Sequence, residues 1–200
     1  MMVKICGITN QEDASAAADG GATAIGFNFW SHSARYLSAE RAAEIATGAG
    51  VRRVGVFVNE APARIAEIAR LARLDVAQLH GDEPVADYPP GIAVWKAARV
   101  DDRFDFNLWL DCRAEALLLD GPAGELYGGS GRTFDWQRAA AADKRIILAG
   151  GLDASNVAIA VQLAHPWGVD ACSRIESEPG KKDHRKMLEF LRAARQALCI

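Results

Sequence analysis

A thiol and a carboxylate in this chain each stand directly after a short apolar run. Cys6 closes Val3-Lys4-Ile5-Cys6 and is followed by Gly7, whose missing side chain lets other groups approach. A thiol in such a place becomes a base when positive charge or helix N-termini lower its pKa toward neutrality. It can equally be a small buried hydrophobe, the usual fate of an unpaired cysteine. Asp120 follows Leu117-Leu118-Leu119 and precedes Gly121-Pro122. It reads either as the cap of a turn or as an acid whose pKa is raised by burial or by neighbouring anions. A thiolate and a protonated carboxylic acid on opposite sides of one cavity would form a pair suited to shuttling protons.

Other polar residues stand at comparable places. Arg35 lies in a loop with no acidic run nearby, and its planar guanidinium suits bidentate capture of a carboxylate. His80, with Gln78, reads as a group that orients or hydrogen-bonds rather than one that carries a proton. Gly150-Gly151 stand between an apolar run and a helical one, where backbone N–H groups can face an anion. Ser173 and Arg174 follow the last apolar run. Gly128-Gly129-Ser130-Gly131 reads as a turn.

Chemistry of this kind needs elements that hold the residues together. Eight strand candidates alternate with alanine-rich stretches: Val3–Cys6, Thr23–Phe27, Arg53–Phe57, Val76–Leu79, Ala93–Ala97, Ala116–Leu119, Ile146–Ala149 and Gly168–Cys172. Amphipathic spacing predicts helices over Ala39–Thr47, Ala63–Leu74, Ser155–Ala164 and about Asp183–Ala197. Asp101–Asp111, short and rich in charge and aromatics, is the weakest helical stretch. Thr9 with Glu12 reads as a capping box, and Ser38, Asp153 and Asp183 as N-caps. Nearly all-apolar strands imply a parallel sheet covered on both faces, and eight such units can close into a (β/α)8 barrel; an open doubly wound sheet is the alternative. In barrels the chemistry sits at the C-terminal ends of the strands, where all these residues fall, and a phosphate site recurs after strands seven and eight.

The totals agree with one globular domain over residues 1–200. The chain is 50% hydrophobic with a net charge of -3, which gives no general attraction to nucleic acid or to an anionic membrane; an anionic ligand would need a local site. Cysteines at 6, 112, 172 and 199 form no CxxC pair or metal-ligand spacing. Without a signal-like or membrane-spanning run, the expected location is the cytoplasm.

Taken in order, the motifs resemble those of the phosphoribosylanthranilate isomerases, the TrpF family. Lys4-Ile5-Cys6-Gly7-Ile8-Thr9 is similar to the family's KICGIT, Ser33-Ala34-Arg35-Tyr36 to SPRY, and Gln78-Leu79-His80-Gly81-Asp82-Glu83 to QLHGDE. Asp120 through Gly129-Ser130-Gly131-Arg132-Thr133-Phe134-Asp135-Trp136 is similar to LLD…GGTGKTFDW. The resemblance spans essentially the whole chain. It implies an Amadori rearrangement of a phosphoribosyl anthranilate in tryptophan biosynthesis with no metal or organic cofactor. It also implies Cys6 as general base and Asp120 as general acid, Arg35 on the anthranilate carboxylate, His80 beside the substrate, and Gly150, Gly151, Ser173 and Arg174 around the phosphate. The expected partners are the small phosphorylated substrate and at most a second copy of the chain, as monomer or homodimer.

Departures from the pattern keep other readings open. Ala34 replaces a proline, Arg132 a lysine, Cys172 a serine and Arg174 a glycine. If that glycine needs a positive φ, Arg174 costs roughly 1 to 2 kcal/mol of strain. Its guanidinium could crowd the phosphate, hold it, or turn to solvent. A histidine-pathway or bifunctional sugar isomerase and a catalytically weakened phosphate-binding barrel are the alternatives.

Overall fold

The computed structural model describes residues 1–101, 104–109, 112–121, 133–141 and 144–200. Among them, eight parallel strands close into a barrel: β1 (Met2–Cys6), β2 (Ala24–Asn28), β3 (Arg52–Phe57), β4 (Val76–Leu79), β5 (Ala93–Arg99), β6 (Ala116–Asp120), β7 (Ile146–Leu148) and β8 (Gly168–Ala171). Each expected strand is present, its ends moved by at most two residues. Pairing of β8 with β1, Met2 opposite Gly168 and Ile5 opposite Ala171, closes the ring and excludes the open sheet.

Strand side chains alternate between two apolar environments, as a period of two requires. Met2, Ala24, Val54, Val76, Trp95 and Leu118 pack together inside the barrel. Their sequence neighbours Val3, Ile25, Ala77 and Leu119 belong to the larger cluster between the sheet and its covering helices. Trp95 is fully buried and meets Trp167 edge to face at 6.0 Å, so it is core at the end of the barrel away from the strand C-termini.

The covering layer is uneven. Helices α1 (Gln11–Asp19), α2 (Ala39–Glu44), α3 (Pro62–Leu71), α4 (Val157–Ala164) and α5 (His184–Leu198) follow β1, β2, β3, β7 and β8. Among the described residues, the connections after β4, β5 and β6 hold only 3-10 turns, at Val85–Asp87, Phe106–Trp109 and Trp136–Ala141. The helix expected over Asp101–Asp111 is therefore corrected to one short turn. Its phenylalanines and Trp109 pack on one another, with Phe104 and Phe106 at 4.8 Å, and form an aromatic plug where an amphipathic stripe would be needed.

Two of the expected caps need correction. Asn10, not Thr9, caps α1 by accepting from the Asp13 backbone N–H, while the Thr9 hydroxyl donates to the Gly180 carbonyl. Asp153 accepts from the Ser155 N–H in the turn before α4, which starts at Val157. Ser38 and Asp183 cap α2 and α5 as expected, accepting from Arg41 and Lys186. At its C-terminal end α2 stops early at Glu44, before the expected Thr47.

Polar ties hold the helices to the barrel. The buried Arg53 guanidinium donates to the carbonyls of Ala42, Ile45 and Ala72 and so ties the C-terminal ends of α2 and α3 to β3. A hairpin of β9 (Glu176–Glu178) and β10 (Lys181–Lys182) lies between β8 and α5. Asp13 of α1 accepts from the Lys182 N–H at 2.8 Å and meets His184 Nε2 at 2.8 Å, so the last unit is latched to the first. Among the described residues no helix is long and apolar enough to cross a membrane.

Candidate active site

Alternation along the strands turns Lys4 and Cys6 of β1, Asp120 of β6 and Asp170 of β8 toward the barrel axis, on the same side as the interior cluster. At the strand C-termini Cys6, Asp120 and Asp170 border a cavity of about 240 Å³, and Lys4 lies buried beneath them. All eight residues singled out from the sequence line it: Cys6, Arg35, His80, Asp120, Gly150, Gly151, Ser173 and Arg174. The Gly128 to Gly131 turn and Arg132 lie outside the described residues.

Cys6 is only 9% exposed, and its thiol is held well below the usual thiol range. The largest cause is a hydrogen bond from the Cys172 thiol, followed, against the opposing effect of burial, by the charge and hydrogen bond of Lys4 and the charge of Lys182. Cys172 is correspondingly pushed well above the usual range, first by that same hydrogen bond. Both directions favour the thiolate at Cys6 over one at Cys172, whose Sγ also stands 3.9 Å from Glu176 Oε1. Gly26 permits this: a methyl there would lie 2.9 Å from Cys6 Sγ and 3.2 Å from Lys4 Nζ.

Lys4 is fully buried and donates to Asp170 Oδ2 at 2.8 Å. Its ammonium is held above its ordinary range, the Asp170 and Cys6 charges outweighing a burial effect that acts the other way. Asp170 is pushed up to about 7, chiefly by burial, with the Cys6 and Asp120 charges adding to it and Lys4 opposing. One ammonium therefore serves two acids, Asp170 first and Cys6 second.

Asp120 ends β6 with 5% of its surface exposed, and its Oδ2 lies 3.5 Å from His80 Nε2. Gln78 Nε2 stands 3.1 Å from His80 Nδ1. An amide N–H donating to Nδ1 leaves the imidazole proton on Nε2, facing Asp120. Glu83, from the same motif, accepts from the Asn59 and Gly81 N–H groups and pairs with the buried Lys96 at 2.7 Å, which fixes the loop that carries His80.

Arg35 is held in a fork by Glu176, with Nε to Oε1 at 2.9 Å and Nη2 to Oε2 at 2.7 Å. Glu176 also takes the buried Lys182 ammonium at 2.8 Å. Burial would raise this carboxyl, but Arg35 and Lys182 together hold it below the usual carboxylate range. Arg35 Nη1 makes no hydrogen bond among the described residues. Trp30 also lines the cavity, unlike Trp95.

After β7, Gly150 and Gly151 line the cavity with φ of 79° and 65°, a left-handed pair in which backbone groups can face an anion. Asn156 donates to the Gly151 carbonyl at 2.8 Å and braces the turn. Ser173 and Arg174 lie in a 3-10 turn, Ser173–Ile175. Arg174 has no positive φ, so the feared backbone strain is absent. Its Nη1 meets Asp153 Oδ2 at 3.0 Å at the rim of the cavity, with the side chain 46% exposed.

Sequence reasoning passed over Lys4, Asp170, Glu176 and Lys182. A sequence signal did exist for the first two: each is an ionisable residue inside an otherwise apolar strand, two places before Cys6 and Cys172 and so on the same face. The other two sit in an irregular hairpin whose path no local pattern gives away.

A family model described as N-(5'phosphoribosyl)anthranilate (PRA) isomerase matches residues 3–193. The chain belongs to the N-(5'-phosphoribosyl)anthranilate isomerase family. Among its isomerase relatives, one from Solibacter usitatus is 67% identical over 198 residues, covering 99% of each chain. The crystal structure of the isomerase from Thermotoga maritima superposes with a TM-score of 0.90 at 41% identity, covering 98% of this chain and 99% of that one. A further isomerase structure, a complex with reduced 1-(o-carboxyphenylamino)-1-deoxyribulose 5-phosphate, gives 0.87 at 38% identity over 98% and 99%.

Proposed function

We propose that this single-domain barrel catalyses the Amadori rearrangement of N-(5'-phosphoribosyl)anthranilate to 1-(2-carboxyphenylamino)-1-deoxyribulose 5-phosphate, a step of tryptophan biosynthesis. The observation that carries the reading is that Cys6 and Asp120, from β1 and β6, border one cavity with the paired glycines on its wall.

In this reading Asp120, as the carboxylic acid, gives its proton to the furanose ring oxygen as the C1'–O bond breaks. The anilinic nitrogen lone pair forms the C=N bond of a Schiff base. The Cys6 thiolate then removes the C2' proton, and the electrons of that C–H bond become the C1'=C2' bond of an enolamine. Transfer of a proton to C1' and loss of the one on the C2' hydroxyl yield the ketone. His80 stands beside Asp120, its Nε2 3.5 Å from Oδ2, where a small closure would let it orient the carboxyl. Arg35 holds the anthranilate carboxylate with the edge that Glu176 leaves open, and Gly150, Gly151, Ser173 and Arg174 hold the phosphate. Fixing both charged ends keeps the sugar carbons between acid and base.

The reaction needs no cofactor in this reading. We place the protein in the cytoplasm, where its thiols stay reduced. The monomer or homodimer expectation carries over, the Thermotoga maritima relative being a dimeric isomerase. A histidine-pathway sugar isomerase is the less favoured reading, because those barrels are expected to place an aspartate where Cys6 stands.

The test is kinetic and genetic together. Cys6→Ser and Asp120→Asn should each lower kcat by roughly 10² to 10⁴ and fail to rescue a tryptophan auxotroph lacking this isomerase. Folded Cys6→Ser protein of near wild-type activity would overturn the assignment of the base. Turnover of the histidine-pathway aminoaldose in place of the anthranilate substrate would overturn the reaction.

A further inference from the structure

The mechanism uses one thiol, yet the site contains two. In the pairing of β1 with β8, Lys4 stands opposite Asp170 and Ile5 opposite Ala171; the next step of that register sets Cys6 beside Cys172, just past the end of β8. In-register neighbours on adjacent strands lie about 4.8 Å apart and share a face, a separation within the range of disulfide-linked residues. A methyl on Gly7, the residue after Cys6, would lie 3.0 Å from Cys172 Sγ, so the second sulfur sits against the backbone beside the first. Both residues line the open cavity, and both thiols are free.

We propose that Cys6 and Cys172 form a site of covalent modification, a thiol pair that an oxidant of the peroxide class converts reversibly into a disulfide. Cys6 attacks the peroxide O–O bond as a thiolate; the sulfur gains one oxygen as sulfenic acid, and the other oxygen leaves as hydroxide and is protonated to water. Cys172 then attacks the Cys6 sulfur, the S–O bond breaks, and a second water departs with the Cys172 proton. Two thiols and one peroxide thus become one disulfide and two waters. A dithiol reductant reverses the change.

The surroundings suit this order of events. Cys6 is the sulfur with Lys4 and Lys182 charge to hold it as thiolate, the form that reacts with peroxide. Once Cys6 is a neutral sulfenic acid, the group that chiefly keeps Cys172 protonated has changed, while Lys182 Nζ stays 3.9 Å from Cys172 Sγ. The cation then favours thiolate at Cys172, as the resolving step needs. A serine at position 172, the residue the family's motif carries, cannot resolve a sulfenic acid in this way; Cys6 would instead proceed to sulfinic and sulfonic acids, which a dithiol does not reverse.

The experiment treats purified Cys199→Ser protein, which lacks the exposed thiol at the end of α5, with hydrogen peroxide, and follows intact mass, peptide mass and isomerase activity. The expected result is loss of the mass of two hydrogens, a linked peptide pair carrying Cys6 and Cys172, loss of activity in step with linkage, and recovery of both with dithiothreitol. In the additional Cys172→Ser background, Cys6 should gain the mass of two or three oxygens, and activity should not return. The proposal is overturned if the parent protein also gains oxygen at Cys6 without linkage, or if dithiothreitol restores the two proteins equally. Only the activity readout rests on Cys6 as the base: linkage with activity intact would sink that role and leave the modification site standing.

Discussion

Replacing Asp170 by asparagine should remove a component of the protein's pH-dependent stability that runs opposite to the usual one for a carboxylate. Asp170 is buried with its Oδ1 lacking a hydrogen-bond partner among the described residues, and its Oδ2 shares Lys4 with the Cys6 thiolate. Burial, Cys6 and Asp120 together outweigh Lys4 and push it up to about 7. In the unfolded chain the same group titrates at about 3.9. Between those values the folded protein keeps a proton that the unfolded chain has released, so stability falls as pH rises through that window, and the loss is complete above it. A gap of about three units corresponds to about 4 kcal/mol at full strength, and to about half that after local relaxation. Asparagine is nearly isosteric, can still accept from Lys4 and does not titrate. Glu176 and Glu115, whose carboxyls are held low, tilt the profile the other way, but they do so in both proteins and cancel in the difference. Urea unfolding of the two proteins at intervals from about pH 4 to 8 should show the wild type losing 2 to 4 kcal/mol relative to the variant, roughly as worked above. A difference that stays flat would refute the reasoning, because Asp170 would then be ionised throughout as an ordinary partner of Lys4.

Three further outcomes are expected. Arg53→Met strands the Ile45 and Ala72 carbonyls at the ends of α2 and α3, the Ala42 carbonyl keeping the Ile45 N–H, and should cost on the order of 2 to 3 kcal/mol in urea unfolding while leaving kcat unchanged at permissive temperature. Gly7→Ala places a methyl at φ of 73°, 2.7 Å from Arg35 Cδ. Its strain of about 1 to 2 kcal/mol should appear as lower stability together with a raised KM, since Arg35 must shift; an unchanged KM would show that Arg35 does not depend on this contact. Arg174→Gly should raise KM about fivefold with kcat nearly constant, the effect of losing one charge-assisted contact worth about 1 kcal/mol; a fall in KM would mean that the arginine crowds the phosphate instead.

Much of this architecture was readable in the residue order because each barrel strand carries its own evidence. Runs such as Ala116–Asp120, apolar on both faces, fit only a sheet covered on both sides, and a polar residue at the end of such a run falls at the cavity by geometry alone. Helix starts were less legible. Thr9 and Asn10 are both good caps, and only the position of Gly180 in space decides that the threonine serves the far hairpin. The helix expected after β5 gave way because Phe104, Phe106 and Trp109 satisfy one another without a helical stripe. At the site, Cys6 and Asp120 were visible but the control of the thiol was not: the acidity of Cys6 depends on Cys172 and Lys182, more than 160 residues away in sequence, and on a lysine that reads locally as an interruption of β1.

The latch at Asp13 has a bearing on when the protein acquires a reactive sulfur. Synthesis delivers Cys6 almost at once, with Lys4 beside it, but Cys172 and Lys182 belong to the final βα unit and emerge last. Until β8 docks on β1 and the hairpin fastens to α1, the nascent chain exposes a thiol with most of its activating partners still to come. Ring closure is thus also the step that completes the surroundings of this thiol, and a chain cut short before the hairpin would carry Cys6 without most of the groups that make it acidic.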